Sequence, residues 1–304
     1  MNPSTSTART SHRRAVLLML LCCLLWSMAG VVTRHLDQAR SFEVTFWRSF
    51  FCALALSGWF LWNEGRGAVD HIRSSGRPGL ISGLCWATMF VCFMVALTLT
   101  STANTLIVNS LSPLATALLA WLVLDSRIPR RTWLAIALAI IGMTLMFGGA
   151  LEGTDSTAAL GMLVALGVPL AAAVNLVTIK KSGGQVDLAP AVLIGAAVSS
   201  LATLPLALPF AASAPDIALL ALLGVFQLAI PCVLLIRAAR HLSAPETALL
   251  GMIEVVLGPL WTWLFAAETP SLETLIGGTV VISALLLSEL PGRPIGASTA
   301  RPTS

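Results

Sequence analysis

The sequence predicts an all-α integral membrane protein of ten transmembrane helices, arranged as two inverted five-helix repeats. Three observations predict it: long unbroken apolar runs in a charge-poor chain, segregation of Lys and Arg into alternate connections, and self-similarity at an offset of 142 residues. Hydrophobic residues make up 57% of the 304 and charged ones 11%, about half the charged share of a soluble domain. In lipid every backbone group must be satisfied by the structure itself, which leaves helices or closed barrels. The runs are continuous rather than alternating, so helices follow. The net charge of +4 does not indicate a nucleic-acid partner, because the basic residues lie between apolar runs.

A span takes about 20 apolar residues at about 1.5 Å rise each. Residues 1–14 read as a cytoplasmic tail, with 1–12 expected to be disordered. Helix one, 15–36, follows "SHRR". With many apolar segments behind it, that start reads as an uncleaved first helix and its arginines as a topology signal. Helices at 42–62, 79–99, 102–124 and 132–149 complete the first repeat, 15–149. Helices at 158–179, 188–210, 215–236, 244–266 and 271–290 form the second, 158–290. A polar cytoplasmic tail, 291–304, closes the chain. The six cysteines all fall inside apolar runs without C-x-x-C spacing and read as small apolar fillers.

With both termini inside, 15 of the 18 basic residues fall in inner segments, the positive-inside pattern. The exceptions, Arg34, Arg40 and Arg48, lie near the first outer loop, and the other outer loops carry acids or no charge. At the 142-residue offset, "ALTLTSTANTLIVNSLSPLATALLAWL" (96–122) falls on "AARHLSAPETALLGMIEVVLGPLWTWL" (238–264). Ser101 meets Ser243, Thr105 meets Thr247, and Trp121 meets Trp263. The basic "DSRIPRR" after helix four is matched by the acidic "AETPSLE" after helix nine. Five helices per repeat force opposite insertion, and the charge swap is what inversion requires. Inverted repeats are the usual frame of secondary transporters, with the binding site between the halves near the midplane.

The residues "LLWSMAGVVTRHL" in helix one, "FWRSFF" (46–51) opening helix two, "SLSPLATALLAWLVLDSRI" in helix four and "MIEVVLGPLWTWLFAAETP" in helix nine resemble the EamA-type branch of the drug/metabolite transporter superfamily. That family usually has a proline directly after the helix-nine glutamate; here Val255 stands there and the proline is Pro259. The family's loop glutamate in the first half is replaced by Asp125 and Ser126. The resemblance implies alternating access around a cavity between helices 1–4 and 6–9, with small metabolites as cargo, often exported and often proton-coupled.

Within helix nine, Ser243 and Glu246 read as a capping box, matched by Ser101 and Asn104 in helix four. Glu254 lies about 15 Å further along, near the midplane, where a charge is costly. It must face a partner or a wet cavity, or carry a proton; a structural interhelical hydrogen bond is the competing reading. Arg48 is the natural counter-charge, and is paired, faces the cavity, or snorkels outward. Glu43 reads as interfacial. Pro113 and Pro259 fall within about one turn of each other in the repeat, and such paired interruptions point to a site. Asn109, Asn175 and Gln227 either bind a polar ligand or join helices. Trp59, Trp62, Trp121, Trp133, Trp47, Trp261 and Trp263 read as interfacial belts, whereas Trp26 and Trp86 are too deep for one and either pack or wall a cavity.

The expected protein is thus a multi-pass transporter of the inner membrane, monomer or homodimer. It moves a small organic metabolite, an amino acid or related compound, by export with the proton as coupling ion and no bound cofactor or metal. An uptake permease of the same fold stays open, as does a non-transport intramembrane enzyme or structural protein. Against an enzyme, the four histidines sit at helix ends or in loops, and no G-x-S-x-G or H-E-x-x-H motif is present.

Overall fold

The computed structural model describes residues 3–125, 129–152, 156–181, 188–239, 241–242 and 244–289, and every described element is helical. The helices are α1 (Pro3–Ser27), α2 (Ala29–Arg34), α3 (Ser41–Glu64), α4 (Ala68–Ser74), α5 (Gly76–Leu99), α6 (Thr102–Asn109), α7 (Ser112–Leu124), α8 (Arg130–Glu152), α9 (Ser156–Ala165), α10 (Gly167–Lys181), α11 (Leu188–Ala207), α12 (Ala214–Leu222), α13 (Ile230–Ala239), α14 (Ala244–Ala266) and α15 (Leu272–Glu289). A π-helical segment, Leu223–Ala229, joins α12 to α13. Among the described residues seven stretches are long and apolar enough to cross a membrane, the first His12–Arg34 and the last Ala214–Leu235; Leu250–Ala266 and Leu272–Leu287 are shorter apolar helices. The chain is a multi-pass membrane protein. Leucines such as Leu17, Leu122, Leu201 and Leu264 stand outward, as they do where the surroundings are hydrocarbon.

The packing is symmetric under the repeat. Helix α5 packs on α10 and α11, as the π segment and α13 pack on α1 and α3. Helix α7 packs on α10 as α14 packs on α1, while α8 pairs with α15 and α3 with α11 across the centre. Small residues allow the close crossings. A Cβ at Gly30 would lie 2.5 Å from Thr102 on α6 and 2.8 Å from Thr262 on α14.

Several expectations are corrected. Helix α1 begins at Pro3, inside the stretch expected to be disordered; proline suits a first turn because it needs no N–H partner there. The first, fourth and sixth predicted spans are each interrupted, at Met28, at Ser110–Leu111 and at Leu166. The sixth yields because Pro169 removes the N–H that the carbonyl of Ala165 would accept. In contrast, Pro259 lies inside the single helix α14, so the proline pair does not mark a pair of broken helices. The connection after α3 carries the additional short helix α4. Ser243, the Glu246 side chain and the C-terminal tail lie outside the described residues, while Ser101 caps α6 by accepting the Asn104 N–H at 3.1 Å.

Candidate functional site: a cavity between the repeats

Arg48 sits about two turns into α3, pointing inward. It is 2% exposed and does not snorkel. Its position depends on Gly224 in the π segment, where a Cβ would lie 2.6 Å from the Arg48 carbonyl and 2.7 Å from Phe51. That close approach lays the π segment against α3. One turn on, Gln227 accepts a hydrogen bond from Arg48 Nε at 3.0 Å. The same amide donates from Nε2 to the carbonyl of Trp26 at 3.2 Å. Trp26 lies in the last turn of α1, where carbonyls lack intrahelical donors, so the break at Met28 and the Gln227 amide complete one another. A π segment widens the helix and frees such groups, and is frequent at functional sites.

The guanidinium carbon of Arg48 lies 5.8 Å from the ring centres of both Phe90 and Phe93 on α5, within cation–π range. Around this group opens a cavity of about 140 Å³. Its polar lining is Arg48, Gln227, Asn109 and Glu254, and Trp26 and Trp86 are its indole walls. Glu254 enters from α14 and is partly exposed to the cavity. It shares the cavity lining with Arg48, yet the two form no ion pair. The cavity therefore draws a cation from the first repeat and a carboxyl from the second, and keeps them apart.

Six of the nine residues picked from the sequence line this space: Glu254, Arg48, Asn109, Trp26, Trp86 and Gln227. Three do not. Pro113 occupies the first turn of α7, where it starts the helix after the break, and Ser112 Oγ donates to the freed Asn109 carbonyl at 2.7 Å. Pro259 lies a turn beyond Glu254, away from the cavity wall. Asn175 is buried on α10, which packs on α5 and α7. A larger cleft of about 600 Å³ between α7, α8, α9 and α10 is lined almost wholly by aliphatic side chains, and its one lining hydroxyl, on Thr144, already donates to the Ile140 carbonyl.

Sequence reasoning missed the polar joints at the Arg34 end of the bundle. Arg34 donates from Nε to Glu268 Oε2 at 2.7 Å and from Nη2 to the Thr100 carbonyl at 2.7 Å. Glu268 also accepts from the Thr102 backbone N–H at 2.6 Å. Glu43, expected at the interface, is fully buried and accepts backbone N–H bonds from Ala211 and Ala212. Asp216 forms a capping box with Ser213 and also takes N–H bonds from Asp37, Gln38 and Ala39. The only available signal was that each acid flanks an apolar run. Two expected belt residues are also occupied internally: Trp47 stacks in a cluster with Phe46, Phe51 and Phe210, and Trp261 donates to Ser27 Oγ at 3.1 Å. Trp62, Trp121, Trp133 and Trp263 stand exposed.

The sequence pattern of the EamA-like transporter family matches residues 13–148 and again 159–290. The chain belongs to the EamA-like transporter family. Among its relatives, the pseudopaline exporter of Pseudomonas aeruginosa is 26% identical over 280 residues, covering 90% of this chain and 95% of that protein. The S-adenosylmethionine uptake transporter of Rickettsia prowazekii is 23% identical over 284 residues, covering 92% and 93%. A solved crystal structure 17% identical in sequence superposes with a TM-score of 0.64, over 92% of this EamA-like chain and 99% of the other, and supports the shared fold.

Proposed function

We propose that this EamA-like protein exports a small organic metabolite, an amino acid or related compound, across the inner membrane in exchange for protons. In this reading ten helices form two inverted halves, both termini are cytoplasmic, and the chain works as a monomer or homodimer with no resident cofactor. The observation that carries it is the cavity shared by both repeats, with the Glu254 carboxyl on its wall. A carboxyl held among helices is a natural proton carrier, because water is not freely available to stabilise its charge. The cargo leaves chemically unchanged, so no nucleophile or metal is required.

Alternating access needs one end closed while the other opens. The Arg34–Glu268 pair and the acceptor roles of Glu43 and Asp216 tie the two repeats together at one end, which this reading makes the periplasmic one. Opening outward then means parting Arg34 from Glu268.

Import by the same cavity is the second reading, favoured by the similarity to an uptake transporter at comparable identity. Proteoliposomes with an imposed pH gradient test the proposal. Metabolite movement should follow the gradient in the wild type, and Glu254→Gln should remove that dependence. Unchanged rate and pH dependence in the variant would refute the coupling role.

A further inference from the structure

Four buried side-chain atoms in the described residues have no hydrogen-bond partner, and two of them lie on residues that line the cavity. Both are N–H donors: Arg48 Nη1 and Trp86 Nε1. The other two, Ser82 Oγ and Asn175 Oδ1, lie on residues outside its lining. Leaving a buried donor unmade is expensive, more so for a charged one. Arg48 has already committed Nε to Gln227, and Phe90 and Phe93 shield the guanidinium from water. No described residue completes the set, since Glu254 stands apart on the same cavity.

Resting on the reading of this cavity as the transport site, we propose that Arg48 Nη1 and Trp86 Nε1 are the seat for a carboxylate on the cargo. Two donors and one positive charge match the two oxygens and single charge of a carboxylate. A phosphate or phosphonate brings more charge and more acceptors than these two donors satisfy, in a space bounded by aromatic rings and a second acid. Glu254 is separated from the seat, so an amphoteric cargo sets its acid on Arg48 and turns its cationic group toward Glu254.

The test is calorimetric titration of the purified full-length protein with benzoate, benzamide and phenylphosphonate. Benzoate should bind, with benzamide and phenylphosphonate each at least about tenfold weaker. Trp86→Phe keeps the ring and removes the N–H, and should weaken benzoate by about tenfold. Arg48→Lys keeps the charge but loses the planar fork, and should weaken it further. Equal binding of benzoate and benzamide, tighter binding of phenylphosphonate, no benzoate binding, or an unchanged affinity in a folded Trp86→Phe protein would each overturn the seat. Flux under a pH gradient is read separately. Its absence beside Trp86-dependent benzoate binding would remove proton coupling and leave the seat standing.

Discussion

Helices α6–α7 and α14 come from matched stretches of the two repeats and end up different. The first is broken between Asn109 and Ser112; the second runs unbroken from Ala244 to Ala266. Proline is present in both, but its consequence depends on position. Pro113 falls in the first turn of α7, where a missing N–H costs little, and Ser112 Oγ satisfies the carbonyl left over. Pro259 falls inside α14 and removes the donor that the Val255 carbonyl would meet. At the offset of 142 residues Ser112 and Glu254 coincide, so one repeat offers a hydroxyl that repairs backbone and the other a carboxyl that lines the cavity. The difference teaches that the duplication preserved the frame and divided the chemistry.

The strongest way to break that comparison is to move the carboxyl. Glu254→Gln combined with Ser112→Glu should leave gradient-driven flux at the level of Glu254→Gln alone. Recovery would make the two positions equivalent. Next comes the joint where α2 meets both helices. Gly30→Ala pushes a methyl into Thr102 and Thr262, and should destabilise the protein by about 1–3 kcal/mol in denaturant unfolding. Gly251→Ala, whose nearest added contact is Met19 at 3.9 Å, should be neutral or gain up to about 1 kcal/mol. A further contrast separates the prolines. Pro259→Ala restores a helix-interior donor and should stabilise by about 1 kcal/mol or more, whereas Pro113→Ala should stay within about 1 kcal/mol. Equal responses would deny the difference between the two helices.

Much of this was legible in the sequence because it is periodic or additive. Apolar runs marked the helical stretches, and the offset exposed the duplication that the family match repeats. Glu254 and Arg48 stood out because a charge in an apolar run demands a reason. What stayed hidden depends on partners far along the chain. Glu43 looked interfacial because its donor partners, the N–H groups of Ala211 and Ala212, lie 168 and 169 residues away. Glu268 reads as an ordinary loop acid until Arg34, 234 residues earlier, is brought against it. The π segment 223–229 has no helix-breaking residue beyond a glycine. It is settled by the close approach of Gly224 to the α3 backbone, a tertiary fact. The proline pairing misled for a related reason: sequence gives the residue but not whether it starts a helix or interrupts one.

Glu254 is the group proposed to exchange protons for cargo. Proteoliposomes loaded with a pH-sensitive dye, challenged with a panel of standard amino acids, measure that exchange directly. The wild type should move protons when a transported amino acid is added, and Glu254→Gln should move none above empty vesicles while remaining folded. Equal proton movement in the two proteins would contradict the account.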